Sequence, residues 1–208
     1  MSIDQLKATI SKKGGLSQAN RFNVMFTPPQ GSLLNSDPAT LIGGLASGGG
    51  LSNIVNDPRD ISLLAESVNL PSSQITTLDH IAEKQSVKIP YAVIQEEVTM
   101  TFLLTNDYYI KNLFDKWGQS IIDLETYRVA YKKDIVTDVV IQQLNKQNIP
   151  IYGVKLENAF PTTIGGIALS NESADTPNKL TVTFSYDKYV VEDGLTSAIS
   201  GVGAALGL

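Results

Sequence analysis

Residues 97–105 read EVTMTFLLT. Val98, Met100, Phe102 and Leu104 fall on one side of an extended chain, with Glu97, Thr99 and Thr101 on the other; Leu103 breaks the polar row near its end. Successive side chains point to opposite faces of a strand, so this period of two predicts a strand with one buried and one wet face. Residues 179–189, KLTVTFSYDKY, repeat the pattern, with Leu180, Val182, Phe184 and Tyr186 against Thr181, Thr183, Ser185 and Asp187. Half-polar strands of this kind belong to antiparallel sheets.

Further strands flank these two. Residues 21–27, RFNVMFT, alternate Phe22, Val24 and Phe26, and Pro28-Pro29 ends the run because neither proline can donate to a ladder. From Ile61 the pattern reads as β, with a strand over 66–71 (ESVNLP) closing in a proline turn. Residues 81–91 alternate more weakly, as a strand or hairpin arm. Residues 134–144 and 151–156 read as strands around a turn at 145–150, and 157–166 (ENAFPTTIGG) reads as loop. Between the two halves the period changes. Tyr109, Ile110, Leu113, Phe114, Trp117 and Ile121 share one helical face, leaving Lys111, Asp115 and Lys116 outside it. Asn106 or Asp107 is the expected N-cap. Core packing is the expected role of this aromatic stripe. The fold class is mainly β: an antiparallel sandwich or barrel with one flanking α-helix.

The rest divides into extensions around one domain at 21–193. Residues 1–20 form an N-terminal helical extension: Ser2 and Gln5 make a capping box, Ile3, Leu6 and Ile10 a stripe, and Gly14-Gly15 the stop. So short a helix must dock on something. Residues 28–60 are a Gly/Ser-rich inserted arm that includes Leu33, Leu34, Leu41, Ile42, Leu45 and Leu51. It is either a long surface loop or an arm that orders against a neighbour. Residues 194–208 read as an apolar C-terminal tail, too short to span a membrane.

Composition excludes most chemistry. The chain has 208 residues, 42% of them hydrophobic and 18% charged, enough for a real core. A net charge of −5 argues against tight binding to nucleic-acid phosphates. There is no Cys, hence no disulfide, thiolate metal site or cysteine nucleophile, and the lone His80 sits in no motif. Glu96 and Glu97 are adjacent and point to opposite strand faces, a poor acid–base pair. The glycine run at 43–50 lacks the Lys-Ser/Thr of a phosphate loop. No cofactor, metal or catalytic site is expected, nor an enzyme, and neither a leader nor a membrane-inserting segment is read from the sequence.

Four segments carry a family resemblance. They are Asn20-Arg21-Phe22-Asn23-Val24 leading to Val68-Asn69-Leu70-Pro71, then Leu113-Phe114-Asp115-Lys116-Trp117, then Tyr131-Lys132-Lys133-Asp134. The fourth is the run from Leu156 to Gly165 (LENAFPTTIG) followed by that from Leu180 to Asp187 (LTVTFSYD). In this order the region from Arg21 to Glu192 resembles the tail tube proteins of T-even-like contractile-tailed bacteriophages.

The resemblance implies a self-assembling structural subunit of a virion. Six copies would form a ring, their strands joining into one β-barrel, and rings would stack into a hollow tube for DNA inside a contractile sheath. The implied partners are the protein itself, the sheath, a baseplate tube initiator, the tape measure protein and transiting DNA. Assembly would occur in the host cytoplasm. A baseplate tube initiator, or the tube of a type VI-like or pyocin-like injection system, shares the fold and stays open. Glu97, Thr99, Thr101, Thr181, Thr183 and Asp187 are the candidate lumen-facing residues. The six apolar residues of the 28–60 arm are the candidate inter-ring contact. The arm, the N-terminal helix and the apolar tail depart from the compact family pattern.

Overall fold

The two alternating stretches fold as strands and pair with each other. A computed structural model describes residues 2–29, 58–82, 85–170 and 176–206. The chain runs α1 (Ile3–Lys12), β1 (Phe22–Met25), α2 (Pro58–Leu64), β2 (Ala65–Val68), β3 (Ser73–Ala82), β4 (Gln85–Gln95) and β5 (Val98–Leu103). It continues with α3 (Tyr109–Ile121), α4 (Lys132–Ile135), β6 (Thr137–Leu144), β7 (Pro150–Ile164), β8 (Lys179–Ser185), β9 (Lys188–Asp193) and α5 (Gly194–Leu206).

Among the described residues every strand pairing is antiparallel, in the order β1-β6-β7-β8-β5-β2, with β9 also on β7 and β3-β4 forming a separate ribbon. Strand β7 serves both halves. Its first part, from Tyr152 to Glu157, pairs with β9, and also with β6; Phe160 to Ile164 pairs with β8. This corrects the loop reading of 157–166. The composition misled because Asn158 and Pro161 break local strand propensity. Asn158 takes φ 55° where the strand passes from one half to the other, and Pro161 lies in the stretch paired to β8, at a register shift between Pro161 and Thr163.

The apolar faces close on one core. Val98, Met100 and Phe102 of β5 and Leu180, Val182 and Phe184 of β8 are buried with Val139, Ile141, Val154 and Leu156. Helix α3 lays Ile110, Leu113, Phe114 and Trp117 into the same cluster. Phe26, Phe114, Trp117 and Phe184 stand with ring centroids 5.8–6.1 Å apart. Such pairs each add about 0.5–1.5 kcal/mol beyond area burial. The cap of α3 differs from expectation by a residue: Tyr108 is the N-cap, at φ 52°, while Asp107 Oδ1 accepts from the Tyr109 N–H at 3.3 Å.

Three other segments also differ from the sequence reading. Helix α2 takes residues 58–60 of the expected arm and 61–64 of the stretch expected to be β, because Pro58 opens a helical turn that loses no N–H bond. The strand expected from 134 begins at Thr137, after the short turn of α4. Residues 194–206 form helix α5, not a tail, with α3 no longer the only flanking helix. Its glycines are poor helix formers, so local propensity hides it, and docking on the sheet supplies the rest. Asp193 Oδ1 accepts from the Thr196 N–H at 3.0 Å, Ser200 Oγ donates to Glu192 Oε1 at 2.7 Å, and Thr27 Oγ1 donates to the Ala204 carbonyl at 2.7 Å. Gly201 permits the close approach: a Cβ there would lie 2.2 Å from Met25 Cε and 2.6 Å from Gln142 Nε2.

Candidate assembly surfaces

The outer face of β5 and β8 is a hydroxyl surface. Period-two alternation puts Thr99 opposite Thr183 and Thr101 opposite Thr181. The rows extend sideways, since Thr163 of β7 pairs with Thr183 and Ser67 of β2 pairs with Thr101. The four threonines proposed from sequence are thus brought into two adjacent cross-strand pairs. Lys179, opposite Leu103 at the end of this face, is ion-paired with Glu66. Glu97 is exposed just before β5.

Asp187 stands apart from the threonine rows. Its carboxylate accepts from Lys132 of α4 and from Asn158 Nδ2, the latter at 3.0 Å. The Lys132 ammonium foremost, and then Asn158, hold its pKa below the usual carboxylate value. Beside it Lys155 and Asp138 pair at 2.8 Å, and Lys188 and Glu157 at 2.9 Å. The Asp138 bond holds the Lys155 pKa above its ordinary value. Sequence reading named Asp187 but missed this ion-pair belt, because its members come from α4, β6, β7 and β9.

The β3–β4 ribbon carries bare apolar side chains on both faces. Leu78 lies opposite Ile89 and His80 opposite Val87; Ile75 lies opposite Val93 on the other face. Leu78, Ile89, Val87, Ile75, Ile81 and Val93 are all exposed. His80 is exposed too. The ribbon is held at its root. The Glu96 N–H donates to the Ser72 carbonyl at 3.2 Å, Tyr186 Oη to the Glu96 carbonyl at 2.8 Å, and Tyr189 Oη to Ser73 Oγ at 3.3 Å. Sequence reading saw only residues 81–91 of this ribbon. A register shift at Thr76/Thr77, where Tyr91 is extra, breaks the period of two that would have revealed the whole.

Three strands have a strand partner on one side only among the described residues: β1 pairs only with β6, β2 only with β5 and β9 only with β7. Helix α2 packs against the first of them, β1. Between β1 and β2 lies an open groove of about 500 Å³ lined in part by Phe22, Val68, Leu70 and Ile141. The candidate arm residues Leu33, Leu34, Leu41, Ile42, Leu45 and Leu51 lie outside the described residues. Among the described residues there is no cluster of three or more metal-ligating side chains, and no helix long and apolar enough to cross a membrane.

A shared-strand β-sandwich with a polar sheet face, a bare apolar ribbon and, among the described residues, strands paired on one side only is suited to association; its class is that of a structural assembly protein. Residues 17–192 match the model of the family described as phage tail tube protein, and the chain belongs to that family. No curated protein matches. A chain in the cryo-EM structure of the anti-feeding prophage baseplate, six-fold symmetrised, shares the fold at a TM-score of 0.57 and 14% identity, over 86% of this chain and 96% of that one. A chain in the sheath–tube complex of an extracellular contractile injection system, in the extended state, does so at 0.56 and 15%, over 93% and 99%. A chain in the anti-feeding prophage tube-terminating cap follows at 0.51 and 16%, over 62% and 80%.

Proposed function

We propose that six copies of this chain close into a ring, that rings stack into a hollow tail tube, and that DNA passes through the lumen. The observation that carries the reading is the β3–β4 ribbon. Two strands with apolar residues on both faces are marginal in water, so the ribbon requires a neighbouring copy to cover it. The open edge of β2 supplies a site where the sheet of one copy continues into the next, and closing the ring removes the edges. Chains of this fold in a six-fold-symmetrised baseplate and in a sheath–tube complex support a ring of six inside a sheath.

On this reading Thr99, Thr101, Thr181 and Thr183 line the lumen, with Glu97 and Asp187 near it. This face offers DNA mostly hydroxyls and acids, and Lys179 at its end and Lys132 on Asp187 are each neutralised in an ion pair, so DNA slides without sticking. The protein is a non-catalytic part of the virion tail, assembled in the host cytoplasm, and its outer partners are the contractile sheath, the tube initiator and the tape measure protein. The 28–60 arm reaches the ring above or below, a heterologous contact between different surfaces. Deleting residues 31–57 then leaves a folded protein that stacks poorly, and tubes of normal length from that deletion would refute the arm's role.

Electron microscopy of the concentrated protein tests the whole. Hollow six-fold rings or tubes are expected; single-chain particles that stay so even when seeded with baseplates would overturn it. Likeness to a baseplate chain supports a second reading as tube initiator. Copy number in purified particles separates the two, since an initiator is present in few copies.

A further inference from the structure

Among the described residues helix α1 buries none of its side chains, and of its apolar stripe only Ile10 is even half-buried. Its N-terminus is closed by the capping box, with Ser2 Oγ accepting from the Asp4 N–H at 3.2 Å and Gln5 Oε1 accepting from the Ser2 N–H at 3.3 Å. Its C-terminus is closed by the Gly14 N–H bonding the Ser11 carbonyl and the Gly15 N–H the Ile10 carbonyl. The left-handed φ values of Gly14 (+80°) and Gly15 (+104°) allow that closure. Yet none of its residues is buried: Ile3 is 71% exposed and Leu6 55%. Ten residues are too few for a stable helix in water, whatever its caps. Its apolar stripe therefore belongs against another surface.

Helix α5 presents a bare apolar ridge of its own. Its inner side rests on the sheet through Gly201 and Ala204, while Ile199 and Val202, one turn apart on the outside, are 70% and 59% exposed. A helix apolar on both sides is normally covered on both. Charge says what covers it. Residues 1–13 contain Asp4, Lys7, Lys12 and Lys13, a net +2, whereas the whole chain carries −5, so the remaining residues carry −7. The ridge follows exposed Asp193, which opens the helix by accepting from the Thr196 N–H; Glu192 beside it is buried and bonded to Ser200. A basic amphipathic helix on an acidic body is complementary to a second copy of that body.

We propose that α1 of one copy docks on the outer ridge of α5 in a second copy, with Leu6 against Ile199 and Val202 and its lysines toward the acidic surface. The inference draws its second copy from the self-assembly reading above. The contact is heterologous, one surface meeting a different one, and so propagates through an assembly.

The absence of native cysteine makes the test direct. Leu6→Cys and Val202→Cys are combined in one chain, and each is also made alone. Under mild oxidation at assembling concentration the double variant is expected to give a ladder of intermolecular disulfides, and the single variants none beyond random dimers. No ladder above the single variants, or a cross-link confined within one chain, overturns the proposal. Electron microscopy of the same samples reads tube formation separately, so tubes without a ladder sink this contact and leave the tube reading standing. As a second variant, Lys7→Glu/Lys12→Glu/Lys13→Glu is expected to lose the ladder while the folded monomer keeps its melting temperature. An unchanged ladder in that variant removes the charge argument and overturns the proposal. Flotation with phosphatidylserine–phosphatidylcholine vesicles covers the alternative. Flotation of the wild-type protein that Leu6→Asp abolishes, without a ladder, would assign α1 to a membrane surface instead.

Discussion

The indole N–H of Trp117 donates to the backbone carbonyl of Ile135 at 2.8 Å, and both residues are buried. One bond thus ties helix α3 to the turn that launches β6. Replacing Trp117 by Phe keeps an aromatic ring but orphans a buried carbonyl and opens a small void. A loss of about 2–3 kcal/mol is expected. Denaturant titration of the monomer followed by circular dichroism measures it, since Trp117 is the only tryptophan and its fluorescence goes with it.

Gly165 sits where two backbones meet. Its N–H donates to the Thr181 carbonyl at 2.8 Å, and a Cβ would lie 2.8 Å from that same oxygen. A backbone oxygen cannot swing aside as a side-chain tip can. Gly165→Ala is therefore expected to destabilise by about 1–3 kcal/mol. Gly166→Ala, with nothing within 4 Å of its Cβ, makes the control and should be close to neutral.

What was legible in the sequence had a regular period and a local cause. Val98–Phe102 and Leu180–Phe184 announced their strands because period-two alternation is enforced by burial of one face. The 109–121 helix announced itself through a stripe of aromatics, and α1 through its capping box. The illegible parts were set by tertiary contacts. Helix α5 depends on a groove over Met25 and Gln142 that no local pattern reveals. Strand β7 runs through Asn158 and Pro161 because two sheets share it. The ribbon was half-seen because its bulge shifts the alternation by one residue. The threonine rows could be guessed from the strand phase, whereas the partners of Asp187 come from distant segments that only the fold assembles.

The ribbon separates association from folding. Leu78 and Ile89 are exposed and directly opposed, so changing both to Asp costs the isolated subunit about 1–2 kcal/mol, mostly from the opposed like charges, and leaves the buried core untouched. Adjacent like charges in place of apolar contacts should abolish rings and tubes. Thermal melting together with negative-stain microscopy reads both effects. Normal tubes from the double variant would mean that the ribbon does not mediate assembly.

The belt around Asp187 makes stability sensitive to acid. Its folded pKa is lowered by Lys132 and Asn158, so the unfolded chain holds more protons in the window between the folded value and the unfolded value of about 3.9. The stabilisation is fully present above that upper value and is lost as pH falls through the folded one. Asp107, Asp123 and Asp193, also lowered by hydrogen bonds at helix and loop starts, add to the same trend. Asp187→Asn should flatten part of the stability-against-pH curve below about pH 4 and leave its slope near neutrality unchanged. Denaturant midpoints of both proteins measured down the acid limb check this; parallel curves would show that Asp187 contributes nothing there.

The threonine rows give the most direct test of which face is inside. Thr181 is exposed, its partner Thr101 lies opposite, and the chain contains no cysteine, so Thr181→Cys creates a single thiol at the middle of the proposed lumen face. The substitution is nearly isosteric on an exposed strand face and should leave stability within about 0.5 kcal/mol. In the free subunit that thiol should react alike with a small maleimide and with one carried on a large polymer. In assembled tubes the small reagent can diffuse along the bore, while the polymer is excluded by the wall. Selective loss of labelling by the polymer is therefore the expected result. Equal labelling of tubes by both reagents would place the hydroxyl face on the outside. The surface available to line the bore would then have to be sought elsewhere, with the Lys132–Asp187 belt the next one to test by the same means.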